Sequence, residues 1–303
     1  MPSKPLRIGT RKSKLALWQA QKVQELLAQQ HLESILVPIE SEGDQNLKQP
    51  LYELGIQGIF TKTLDSALLN DTIDLAVHSL KDVPTQLAQG IELTAVLKRG
   101  DHRDIIVLKN VDSPLPETGK IATSSLRRQA QWLRKYPQYR CENLRGNVQT
   151  RLTKLDQSDW QGALFAQVGL ARLDLLNDRP YQVLDWMLPA PAQGAIGVCT
   201  RQDDRELQTA LGSISCAQTT ACVRAERAVL RGLKAGCSAP VGALATVDQN
   251  LLNLSAGLYS LDGTQAIEIE CTGDSEQAEK LGLSLAEEIL HTGGEALLQK
   301  IRN

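Results

Sequence analysis

Short apolar runs alternate along this chain with longer stretches in which apolar residues recur every three or four positions, the pattern of strands exchanging with amphipathic helices. Residues 6–10 read as a strand and 13–30 as a helix, with Leu15, Leu17, Trp18, Val23, Leu26 and Leu27 at roughly helical spacing. Residues 35–39 read as the next strand, 60–69 as a helix and 73–77 as a buried strand. A second series opens at 104–108. It continues through a strand at 120–123, a helix at 124–135, a strand at 139–143, a helix at 147–155 and a strand at 163–166. Both series are βαβ-like, which predicts α/β architecture. After about residue 213 the pattern changes to a helix at 219–232, strands near 241–247, 251–259 and 266–271, and a helix at 276–291. That is a small α+β domain.

At 303 residues the chain exceeds what one hydrophobic core usually supports. Arg99-Gly100-Asp101 and the proline- and glycine-rich stretch 188–197 are the natural crossings between units. They give a first domain of residues 1–98 and 197–213, a second of 99–196 and a third of 214–303. An apolar fraction of 42% with 22% charged residues is that of a globular protein. No apolar run approaches the roughly 18 residues that span a bilayer, and the N-terminus has no apolar signal core, so no membrane contact and a cytoplasmic location are expected. The six cysteines form no Cys-x-x-Cys pair and have no His-rich neighbourhood, which argues against both a metal site and a disulfide framework. A net charge of −2 and a pI of about 6.1 disfavour nucleic acid as a partner.

Local charge changes that picture. Residues 120–154 hold nine basic side chains (Lys120, Arg127, Arg128, Arg134, Lys135, Arg140, Arg145, Arg151, Lys154) against one acid, Glu142. Such a concentration in a mildly acidic protein points to a defined anion. The motifs within it sit where strands hand over to helices, and helix N-termini favour anions. Thr123-Ser124-Ser125-Leu126-Arg127-Arg128 offers hydroxyls, backbone N–H groups and two guanidiniums. Asn143-Leu144-Arg145-Gly146-Asn147 with Arg151 repeats the arrangement. Arg11 and Ser13 occupy the equivalent place in the first series. His78-Ser79-Leu80-Lys81-Asp82-Val83-Pro84 is a strand-terminal loop carrying one carboxylate. Asp82 in such a loop ordinarily caps a turn, but Lys81 beside it and Arg11 on the same side suit a carboxylate used in proton transfer. Cys237 lies in a loop of small residues; a lone cysteine ordinarily packs as a small hydrophobe, and the loop setting only narrows the lead of that reading over a reactive thiol.

Taken in order, Arg11-Lys12-Ser13, Gly58-Ile59-Phe60-Thr61-Lys62, the 78–84 loop, the 123–128 and 143–147 motifs and Gly236-Cys237 resemble the porphobilinogen deaminase (hydroxymethylbilane synthase) family over almost the whole chain. The resemblance implies two domains like those of periplasmic binding proteins and a third, smaller α+β domain. It implies a transferase of tetrapyrrole biosynthesis that joins four porphobilinogen molecules head to tail into linear hydroxymethylbilane, releasing ammonia. It also implies a dipyrromethane primer held by a thioether to Cys237, with Asp82 as the catalytic residue and a monomeric state. The positions matching cofactor- and substrate-binding residues are Arg11, Ser13, Lys62, Ser79, Lys81, Thr123, Ser125, Arg127, Arg128, Arg145, Asn147, Arg151, Arg172 and Gln193.

A primer with four added rings would present about twelve carboxylates, so the six guanidiniums at positions 11, 127, 128, 145, 151 and 172 need help from hydroxyls, backbone amides or water. Two departures from the family pattern stand out. Gln57 replaces the usual lysine before Gly58, leaving Lys62 as the nearest substitute, and Pro191-Ala192-Gln193-Gly194 replaces Val-Gly-Gln-Gly. The competing reading, a non-catalytic two-lobed polycarboxylate-binding protein, explains the arginines but gives Asp82 and Cys237 no purpose.

Overall fold

A computed structural model describes residues 4–40, 61–109, 115–177, 179–236 and 239–302. Cys237 and the Gln57–Phe60 part of the glycine motif lie outside the described residues. The chain forms two compact units, and among the described residues it passes between them at Gly100–Asp101, Gln193–Gly194 and Thr220–Ala221.

The first unit is built on strands β1 (Leu6–Arg11), β2 (Ser34–Ile39), β3 (Leu75–Ser79) and β4 (Ile91–Val96), and on one much later in sequence, 196–201. Their order is β2-β1-β3-(196–201)-β4. The first three are parallel, and the late strand is antiparallel to both its neighbours. Helix α1 (Lys14–Gln29) buries Ala16, Gln19, Ala20, Val23 and Leu27, positions three or four apart, on one face of this sheet. Helix α2 (Lys62–Leu69) covers the other face through Leu64, Ala67 and Leu68. Gly9 on β1 leaves room for that packing, since a Cβ there would lie 2.2 Å from Ile73 Cδ1 and displace it. Pro38 sits on β2, an edge strand, where a missing N–H breaks no ladder between central strands.

The second unit repeats the order with β5 (Asp104–Leu108), β6 (Gly119–Ala122), β7 (Tyr139–Glu142), β8 (Gly162–Ala166) and β9 (Tyr181–Val183), arranged β7-β6-β8-β5-β9. Again three strands are parallel and the fourth, β5, is antiparallel. All five residues of β5 are buried, as expected of an inner strand covered on both faces. Helices α3 (Leu126–Lys135), α4 (Val148–Gln157) and the short α5 (Gln167–Ala171) follow β6, β7 and β8. The late strand of the first unit is β10 (Ile196–Arg201), followed by α6 (Arg205–Gly212) and α7 (Ala217–Gly232).

A three-stranded antiparallel sheet, β11 (Val241–Asp248), β12 (Leu251–Tyr259) and β13 (Ala266–Asp274), packs with α7, α8 (Ala278–Ile289) and α9 (Glu295–Arg302) around its own apolar core. Its β12–β13 turn lies on α3. Gly263 there has φ +74, and a Cβ would stand 2.3 Å from the Arg134 backbone nitrogen, so both conformation and space require glycine.

The α/β class and the smaller sheet agree with the sequence reading, while several boundaries differ. The buried strand expected at 73–77 is Leu75–Ser79, because the Ile73 N–H is still turned back to Ala67 O at the end of α2. Strands β4, β9 and β10 were not anticipated. The stretch 188–197 is a crossing only to Ala195, since Ile196 and Gly197 already belong to β10.

Candidate functional site

In the first unit the C-terminal ends of the parallel strands gather the expected residues at one sheet edge. Ser13 caps α1, its Oγ accepting from Ala16 N at 3.3 Å, and half-buried Arg11 ends β1. Ser79 ends β3 and exchanges hydrogen bonds with Gln19, whose Nε2 lies 2.8 Å from Ser79 Oγ. A 3-10 turn at Leu80–Asp82 follows directly and holds Lys81 and Asp82 half-buried beside the edge. The register Gly9↔Ala76 continues to Arg11 beside His78 on the face shared with α2. Burial, reinforced by the charge of Arg11, pushes the His78 imidazole down to about 4, so it is neutral at physiological pH. Lys62 is exposed at the start of α2.

In the second unit β6 and β7 end side by side, and each hands over to a capped helix. Ser125 caps α3, accepting from Arg128 N at 3.4 Å, and Asn147 caps α4, accepting from Thr150 N at 2.9 Å. Ser124 joins the two junctions: its Oγ lies 2.5 Å from Asn143 Oδ1 and 2.6 Å from Leu144 O, and accepts from Leu144 N at 2.9 Å. Thr123 is buried, with its N–H on Glu142 O and its hydroxyl accepting from Ser125 N. Arg145 is buried. Arg151 donates from Nε to Gly146 O at 2.7 Å, in a turn where Gly146 has φ +114, and Lys154 reaches back to Arg145 O. Arg172 follows α5 from the neighbouring β8. Burial pulls Arg145 below the usual guanidinium range and Arg172 down to about 10.

Not all of the basic segment faces this edge. Lys120 opens β6 at the opposite end and pairs with Asp159 at 2.6 Å, and Arg140 near the start of β7 is exposed there too. Arg134 and Lys135 close α3, with Lys135 Nζ 4.5 Å from the Trp186 ring centre. Arg127 and Arg128 also have a partner that counting along the segment missed: Asp104, fully buried at the start of β5. Arg127 Nη1 meets its Oδ2 at 2.6 Å, while Arg128 Nε and Nη2 meet its Oδ1 at 2.9 and 2.8 Å. Burial alone would raise the Asp104 carboxyl, but the two guanidiniums outweigh it and hold it well below the usual range. Gln193, also fully buried, gives its amide hydrogens to Asp104 Oδ1 at 2.9 Å and His102 O at 2.7 Å. Gln19 was likewise missed, while Ser124 stood within a motif read for its hydroxyls but its part in joining the two junctions was not. Gln19 left a usable signal, a polar residue on the apolar stripe of α1, whereas Asp104 left none because its partners lie 23 and 24 residues away.

Carboxylate-accepting groups thus line one strand-end edge in the second unit, and a carboxylate stands among cations at the corresponding edge in the first. These features define an α/β protein whose second unit offers a strand-end edge suited to a small polyanion. The porphobilinogen deaminase family model matches in two parts, "dipyromethane cofactor binding domain" over residues 6–209 and "C-terminal domain" over 220–291. The chain is 42% identical to the porphobilinogen deaminase of Chlorobium phaeobacteroides over 309 residues, covering 99% of this chain and 98% of that one. It is 43% identical to that of Syntrophotalea carbinolica over 304 residues, covering 98% and 96%. The chain belongs to the porphobilinogen deaminase family.

The dipyrromethane primer of this family fits the residues present. Two capped helix N-termini offer backbone N–H groups, and Arg145 and Arg172 are desolvated cations whose charge a bound carboxylate would stabilise.

Proposed function

We propose that the chain polymerises porphobilinogen into hydroxymethylbilane with Asp82 as its acid–base residue and Cys237 as the primer's anchor, working as a cytoplasmic monomer. The three-domain partition at 1–98 with 197–213, 99–196 and 214–303 belongs to the same reading. The family match over nearly the full length carries the proposal, and the gathering of Asp82, Lys81, Ser79, Arg11 and Ser13 at one sheet edge supports it.

When bound, the primer supplies the pyrrole carbon to which the first substrate ring is joined. The protein's part is acid–base and electrostatic. Asp82 holds the protonated aminomethyl group of porphobilinogen as ammonia departs, and its negative charge stabilises the cationic azafulvene left behind. The same carboxylate then assists removal of the proton from the newly joined pyrrole carbon. Lys81 and Arg11 take the acetate and propionate of the incoming ring. In the second unit Thr123, Ser125, Arg127, Arg128, Arg145, Asn147, Arg151 and Arg172 hold the carboxylates of rings already joined. Lys62 adds a cation in place of the lysine that Gln57 replaces. Gln193 serves through what it holds in place, because both its amide hydrogens are engaged within the protein.

Asp82→Asn preserves shape and removes the charge. The variant is expected to fold and carry its primer while bilane production falls by about 10² or more. Near-normal turnover would remove Asp82 from this role.

A further inference from the structure

We propose that Asp104 is a positioning residue for oligopyrrole binding, orienting Arg127 and Arg128 together; this rests on the assignment of those arginines to ligand carboxylates. Successive residues of a helix point about 100° apart, so two neighbouring arginines in the first turn of α3 do not naturally act on one side. A single buried carboxylate turns both inward. Its two oxygens are divided between them, Oδ2 to Arg127 and Oδ1 to Arg128.

The remaining contacts fix the pair further. Arg127 Nη1 also donates to Leu188 O at 2.7 Å, and Arg128 Nη1 to Leu164 O at 3.1 Å. Gln131, one turn farther along α3, donates to Leu188 O and accepts from Leu188 N, at 2.9 and 2.8 Å. Gln193 completes the Oδ1 side of Asp104. Asp104 opens β5 just after the crossing at Gly100–Asp101, and Leu188 and Gln193 lie on the stretch that leads into the crossing at Gln193–Gly194. The arginines are therefore indexed to these two segments of the second unit as well as to their own helix.

The charge gives the idea a sign that can be tested. Two guanidiniums and one carboxylate carry a net charge of +1, so neutralising Asp104 makes the cluster more positive. If charge alone governed ligand binding, Asp104→Asn would tighten it. If orientation governs, the freed guanidiniums lose their aim and binding weakens, since small misplacements cost up to about 10²-fold.

The experiment measures KM for porphobilinogen, kcat and the covalently loaded intermediates by intact mass, on primer-carrying Asp104→Asn at a temperature where it is folded. The expected result is a KM raised about tenfold with less loaded enzyme and a smaller change in kcat. A KM that is unchanged or lower overturns the proposal, whatever happens to the melting temperature. Should that variant fail to fold, Gln193→Met keeps the Asp104 charge and removes one of its hydrogen bonds. A KM raised about twofold to threefold then supports the proposal, and an unchanged KM overturns it. Arg128→Met separates the underlying assumption. If it leaves KM unchanged while Asp104→Asn raises it, the arginine assignment has failed and the positioning proposal falls with it.

Discussion

His78 shows how one buried side chain can set a pH dependence distinct from that of catalysis. Its imidazole must stay neutral in the folded protein, with a value near 4, but titrates at its ordinary 6.5 when unfolded. Between those values the unfolded chain binds more protons, so this contribution is complete above about pH 6.5 and is lost as pH falls towards 4. At pH 5 the loss is about 2 kcal/mol. His78→Gln should therefore lose less stability than the parent between pH 7.5 and 5, measured by urea unfolding at both; identical losses would contradict it. Residues of this kind divide by how visible they are in the sequence. The positions of Arg11, Ser79 and Asp82 were legible because they lie at, or within one turn of, the ends of apolar strands. Asp104 was not, because its role depends on a strand and a helix meeting across an intervening stretch of chain.

Among the elements, capped helix starts are what the proposed site motifs have in common. Ser13, Ser125 and Asn147 each satisfy a first-turn N–H that would otherwise lack an intrahelical partner, which leaves neighbouring N–H groups to face a ligand. Ser124 then fixes the starts of α3 and α4 relative to each other. Ser124→Ala should cost about 1–2 kcal/mol in urea unfolding, since Leu144 N loses an acceptor inside the junction, and should raise KM more than it lowers kcat. Unchanged stability and KM would show that the junctions hold without it. The helix starts were readable from Ser, Thr and Asn before apolar periodicity. Strands β9 and β10 were not: β9 has three residues, two of them exposed, and β10 emerges from a proline- and glycine-rich stretch that resembles a linker.

Over the whole molecule, two sheets share one strand order, and the proposed site residues lie at their parallel strand ends, Asp82 in the first unit and most of the arginines in the second. The basic segment that first suggested an anion site contributes only part of its charge. Lys120, Arg134, Lys135 and Arg140 lie away from the edge, and Asp104 balances one charge of the Arg127–Arg128 pair. The supply of cations at that edge is thus smaller than a count along the sequence suggested. The central claim is that this ligand grows as a covalent chain on Cys237. Intact-protein mass after brief exposure to limiting porphobilinogen tests it most directly. The account predicts a protein already heavier by two linked pyrroles, then a ladder of up to four further single-ring additions, all absent in Cys237→Ser. Active protein of unmodified mass, or the same ladder in Cys237→Ser, would contradict it.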